Sequence, residues 1–260
     1  MTDTDEIIED TKRCPFCDEV IRVKAVICKH CRQWMPGYTY ESAIRDLVIQ
    51  KQETEIQTGP EPDALSRDEQ YELARTWAKA GRKQSLQGFD LIARDLSGLD
   101  LQGANLRGAD LSDADLSGAN LEQADLRGAN LFRANLRGAK LPQARLEEAY
   151  LREALLEYAD LSNGKLANAN LRSASLRHTV LYRVDLDRAY LKTADLQYAN
   201  LNQSYLKDTN LASTKMEEAT LIGAVLIRAN FTESDIDRQQ YQQAHTIEAI
   251  ILPDGLQLQP

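Results

Sequence analysis

From residue 86 onward, apolar side chains return at an interval of five: Leu86, Leu91, Leu96 and so on to Leu211, then Met216, Leu221, Leu226, Phe231 and Ile236. The position two residues earlier is mostly Ala, with Gly164, Thr179, Val184, Ser204, Thr209 and Thr214 as small or β-branched substitutes. Ala, Leu, Arg, Glu and Gln all favour helix by propensity. An interval of five defeats a helix, because successive leucines would turn by roughly 140° and no apolar stripe would form. It defeats a continuous strand as well, since five is odd and Leu116 and Leu121 would project from opposite faces. The chain must therefore bend once per repeat, and the Asn, Asp, Ser and Gly between the leucines suit that bending. A chain that turns after each five-residue side and stacks on itself is a solenoid with Leu and Ala inward.

The stretch ADLSGANLEQADLRGANLFRANLRGA (114–139) displays the unit, and counting from Leu86 to Ile236 gives 31 repeats without an insertion. This A(N/D)LxX pattern resembles the pentapeptide-repeat family. The resemblance implies an all-β solenoid, a right-handed quadrilateral β-helix of 20 residues per coil. Seven to eight such coils at about 4.8 Å each would stand roughly 36 Å tall. Each inward Leu would contribute about 1.5 to 3 kcal/mol, an upper estimate, so the core needs no cofactor.

A solenoid has two open ends, which invite stacking unless covered. Ser66-Arg67-Asp68-Glu69 reads as a capping box that starts a helix over Arg67–Ala80, with Leu73, Trp77 and Ala80 inward and Gly81 at its end. After Ile236, a short polar helix or turn over 239–243 leads to Ile247, Ile250, Ile251 and Leu252, closed by Pro253-Asp254-Gly255. That tail either covers the end or, as the resemblance implies, forms a homodimer through the C-terminal end. Tyr40–Gln57 carries Ala43, Ile44, Leu47 and Val48 on one helical face, followed by a Gly/Pro linker at 58–63. The expected organisation is an acidic tail without fixed structure at 1–11, a zinc ribbon at 12–36, and an amphipathic helix with linker at 37–65. A capping helix at 66–82, the β-helix at 83–238 and a C-terminal cap at 239–260 complete it.

The four cysteines form two hooks, Cys14-Pro-Phe-Cys17 and Cys28-Lys-His-Cys31. Four thiolates so placed suit one tetrahedral zinc ion, and two disulfides are the alternative. The acidic start without an apolar run argues for a reducing, cytoplasmic setting and so for zinc. The stretch also resembles short bacterial zinc ribbons of the CPxC…CKHC type, which implies that His30 is no ligand. Four protein ligands leave no open position, so the zinc is expected to be structural.

No nucleophile elbow, phosphate loop or His–acid constellation occurs, and the only histidines are His30, His178 and His245. An enzyme is not expected, nor is a membrane span, because no apolar run is long enough. The leading expectation is a non-catalytic protein-interaction or scaffold protein. The resemblance also suggests a modulator of a type II topoisomerase that imitates duplex DNA. Such imitation would need about 21 negative charges over about 36 Å, whereas residues 86–240 hold 22 acids and 18 bases. The ribbon is locally basic (Lys12, Arg13, Arg22, Lys24, Lys29, Arg32), yet its zinc tetrathiolate would offset part of that charge, so nucleic-acid contact is a lesser expectation. Read in columns 20 apart, Gly98, Gly118 and Gly138 give way to Tyr158, His178 and Tyr198, an expected exposed aromatic ladder. Tyr150 and Tyr190, in another column, would broaden it. The ladder is either a partner-binding face or a purely structural stack.

Overall fold

The computed structural model describes residues 11–13, 20–22, 65–82 and 84–255 of the 260. Contacts divide the chain into two units, Met1–Ile56 and Gln57–Pro260. In the first, β1 (Thr11–Arg13) pairs antiparallel with β2 (Val20–Arg22), Lys12 opposite Ile21. The four cysteines and the expected helix at 40–57 lie outside the described residues.

The second unit is a parallel stack with a 20-residue register: Asp90 bridges Asp110, Asp95 bridges Asp115, and so on to Asn210 with Asn230. Five residues make one side, and four sides make a coil. Every backbone N–H of a repeat is accounted for, as residues 116–120 illustrate. Leu116 and Gly118 donate to Asn135 and Arg137 one coil on, at 2.7 and 2.9 Å, while Asn120 donates to Leu99 one coil back at 2.8 Å. Ala119 closes a turn onto Leu116 at 3.0 Å. The fifth donor, Ser117, finds the side chain of Asp115 at 2.9 Å. That last bond explains the Asn or Asp that precedes many of the leucines: its side chain accepts from the amide two residues on, which neither coil neighbour reaches; Lys140, Arg145, Tyr150 and Leu155 hold the position without such an acceptor.

The second corner residue of nearly every turn has positive φ while the first does not, the sign pattern of a type II turn. Glycine fills this corner in many early coils, whereas Gln143, Glu153, Tyr158 and Arg183 hold it later, at φ from 55 to 62°. Inside, the Leu and Ala columns are fully buried. Four hydroxyl-bearing substitutes are buried and donate to leucine carbonyls: Thr179 to Leu156 and Thr209 to Leu186 at 2.9 Å, Ser204 to Leu201 and Thr214 to Leu211 at 2.6 Å, whereas the buried Ser234 hydroxyl in the last repeat makes no such bond. A buried hydroxyl left unpaired would cost about 1–3 kcal/mol.

Ahead of the stack runs α1 (Arg67–Thr76), started by the reciprocal Ser66/Glu69 capping box. It is shorter than the sequence suggests. Residues 77–80 continue as turns, and the chain reverses through Gly81 and Arg82, both at positive φ. Side chains of α1 take up backbone groups that a preceding coil would pair. The Gln70 amide oxygen accepts from Asp90 N at 2.6 Å, the position that Phe89 O serves for Asp110 one coil on. Tyr71 and Arg67 donate to the carbonyls of Asp95 and Ile92. Trp77 is 3% exposed, and its indole donates to Gln84 O at 2.7 Å.

At the other end, Asp237 opens the five-residue α2 (Arg238–Gln242), and Gln240 donates to the Met216 and Ala219 carbonyls. The chain then returns onto the last coil with a register of 21. Strand β3 (Val225–Ile227) pairs parallel with β4 (Thr246–Glu248), Asn230 bridges Ile251, and Ile250 is fully buried.

Trp77→Ala is expected to cost about 3 kcal/mol or more in chemical denaturation and to increase oligomer size in light scattering. A monomer of unchanged stability would show the ring to be dispensable. At the corner, Gln143→Gly is expected to stabilise by about 0.5–1 kcal/mol, because the left-handed conformation costs an L-residue more than glycine gives back in unfolded-state freedom.

Candidate functional site: the aromatic corner

Three successive coils carry a ring at the same corner. Tyr158, His178 and Tyr198 sit at φ 62, 57 and 61°, each the second corner residue of a turn closed onto Leu156, Leu176 or Leu196. Their amides donate to Arg177, Gln197 and Glu217 one coil on, which fixes the rise between rings. Tyr158 and His178 stack at 4.9 Å with 3° between planes, and His178 and Tyr198 at 4.8 Å with 8°. The stack stays in the open: Tyr158 is 67% and Tyr198 42% exposed. Parallel rings at this spacing contribute about 0.5–1.5 kcal/mol per pair.

Polar neighbours brace the corner. Arg177 reaches Asp195 and Gln197 and lies 5.7 Å from the Tyr198 ring centre, and Gln197 donates to Glu217. Lower down, Arg137 holds Glu157 through two contacts of 3.1 Å.

Tyr150 and Tyr190 occupy a different column, at the bridging position with Asn130, Asn170 and Asn210. Tyr150 is partly buried, which pushes its phenol above the usual range, and its ring meets Phe132 at 6.1 Å. Two further exposed apolar side chains, Tyr205 and Ile222, escape a reading confined to aromatic columns.

The charged groups of the tower are extensively paired along and between coils. Arg133 meets Asp113, Arg145 meets Glu147, and Arg228 grips Asp208 with bonds of 2.6 and 2.7 Å that hold its carboxyl below the ordinary range. Burial raises Asp125, but the bonds from Arg127 outweigh it, and the net shift is downward. Among the described residues, no group of three or more His, Cys, Asp or Glu could hold a metal ion, and no helix is long and apolar enough to cross a membrane.

Among curated proteins there is no significant match to the chain. Solved structures do resemble it. HetL, a pentapeptide repeat protein involved in heterocyst differentiation regulation from the cyanobacterium Nostoc sp. strain PCC 7120, is 27% identical with a TM-score of 0.49, over 72% of this chain and 98% of that one. The protein alr5209 from Nostoc PCC 7120 is 34% identical over 42% of this chain and 77% of its own, with a TM-score of 0.26. QnrB1, a plasmid-mediated fluoroquinolone resistance protein, is 20% identical over 63% of this chain and 79% of its own, with a TM-score of 0.30. The family described as pentapeptide repeats, whose members form right-handed quadrilateral β-helices, matches residues 95–131, 129–168, 154–192, 169–208 and 204–238. Those segments run from 95 to 238, more than half of the chain, and with the 20-residue register they establish that this protein belongs to the pentapeptide-repeat family.

Proposed function

We propose that the protein is a non-catalytic interaction scaffold: a rigid β-helical rod whose contact face is the corner of Tyr158, His178 and Tyr198, with a separate zinc module near the N-terminus. The observation that carries this reading is the ring stack itself, three contiguous rings left open on a largely polar tower. Amphipathic tyrosines supply contact energy at interfaces with little side-chain entropy to lose. Helices α1 and α2 serve as end covers, which keeps the side of the rod, rather than its ends, free for a partner.

The zinc reading rests on the donor set. Strands β1 and β2 pair with Arg13 opposite Val20, so Cys14 and Cys17 fall in the six-residue connection between them, and Cys28-Lys-His-Cys31 follows β2 closely in sequence. Four thiolates in two CxxC hooks would hold one structural zinc ion through Cys14, Cys17, Cys28 and Cys31 in a reducing compartment, the cytoplasm. Imitation of duplex DNA finds less support. The 22 acids of residues 86–240 are accompanied by 18 bases, and many of the two kinds are paired.

Purified protein is expected to hold one zinc per chain by elemental analysis. Replacing Cys14 and Cys28 by Ser should abolish it while the β-rich circular dichroism signal of the tower persists; cooperative loss of that signal would make the two units one. For the contact face, Tyr158→Ala combined with Tyr198→Ala is expected to weaken capture of the native partner at least tenfold in a protein still folded. Unchanged capture would leave the ladder a structural stack, and inhibition of DNA supercoiling by gyrase at micromolar protein would favour the DNA-like reading instead.

A further inference from the structure

The aromatic stack stops at Tyr158. One face of its ring is covered by His178, but one coil back the same column holds Gly138 and then Gly118, and a Cβ placed on either meets no heavy atom within 4 Å. The rise of one coil is the 4.8–4.9 Å seen between the stacked rings. The uncovered π face of Tyr158 therefore adjoins an empty level one ring thick.

The charges beside that level are distinctive. Arg137 is engaged by Glu157, and one level up Asp160 accepts from the amide and hydroxyl of Ser162. Lys140, two residues beyond Gly138, is exposed, and no carboxylate among the described residues lies within 4.0 Å of its ammonium. The free charge at the open level is thus positive. An aromatic ring accompanied by a carboxylate complements both features: the ring continues the stack beneath Tyr158, and the carboxylate meets Lys140.

Resting on the reading of this corner as the contact face, we infer that its partner is a protein presenting an acidic aromatic motif, an aromatic side chain next to Asp or Glu, which docks at the Gly138 level. Single-stranded nucleic acid also offers rings and anions. One free lysine can meet a single carboxylate but not a run of phosphates, and the net charge of −9 disfavours a long polyanion.

The test uses the full-length ¹⁵N-labelled protein titrated with acetyl-Glu-Trp-Glu-amide, acetyl-Lys-Trp-Lys-amide, acetyl-Glu-Ala-Glu-amide and an oligothymidylate. The acidic Trp peptide is expected to give ring-current shifts at the Gly138 and Gly118 amides and to bind at least fivefold tighter than the basic one. Lys140→Glu should reverse that order. Gly138→Gln, which fills the level with a residue that Gln123 and Gln143 show to be tolerated at φ 58 and 59°, should abolish the shifts without unfolding. Equal binding of the two Trp peptides, shifts that survive Gly138→Gln, or preferential binding of the oligothymidylate would overturn the inference. If the Tyr158/Tyr198 double variant loses the native partner while Gly138→Gln and Lys140→Glu retain it, the contact-face reading stands and this inference fails.

Discussion

The hydrogen-bond register between residue i and i+20 is the constraint from which the rest of the molecule follows. Three of the five backbone donors in each repeat cross to a neighbouring coil, so a side cannot shift without breaking bonds along its whole length. Register then dictates burial, because Leu falls above Leu, and Ala above Ala or one of its small substitutes, through most of the tower. The C-terminal end shows what happens when the rule lapses. Where β4 meets β3 at a spacing of 21, the repeat stops and α2 with the returning chain takes over.

The same register turns each outward position into a column, and this links packing to function. A corner residue in the left-handed region carries a cost on the order of 1–2 kcal/mol unless it is glycine, yet the later coils place Tyr, His, Glu and Arg there. The crossing bonds hold those corners in place, and at Tyr158, His178 and Tyr198 parallel ring stacking offsets part of the cost. The glycine corners of the early coils are the unadorned form of the same site. The passage from Gly138 to Tyr158 is therefore a change of surface chemistry on an unchanged scaffold.

Much of this was legible in the sequence because it is periodic. The interval of five located the Leu and Ala core, the 20-residue coil implied by the family resemblance located the ring ladder, and the Asn, Asp, Ser and Gly between the leucines marked the turns, where Asp95 and Asp115 accept from backbone amides. What periodicity does not encode stayed hidden. Gln70, Tyr71 and Arg67 substitute for a missing coil only because α1 lies across specific backbone groups, and no local pattern marks them. Helix α1 ends at Thr76 rather than at Ala80 because the chain must reverse toward the first coil, a tertiary demand. The step to 21 likewise arises from the geometry of α2 and its return. For the cysteines the sequence remains the sole guide, since they lie outside the described residues.

Native-state hydrogen exchange across the tower tests the central role of the inter-coil register most directly. Amides that cross between coils, including those of Leu116, Gly118, Tyr158, His178 and Tyr198, are expected to exchange together at the slowest, globally limited rate. Amides such as Ser117 and Gln197, bonded only to the side chain of the residue two before them, should exchange faster. Slow exchange confined to the glycine-cornered early coils, with Tyr158, His178 and Tyr198 exchanging as fast as Ser117, would contradict the account.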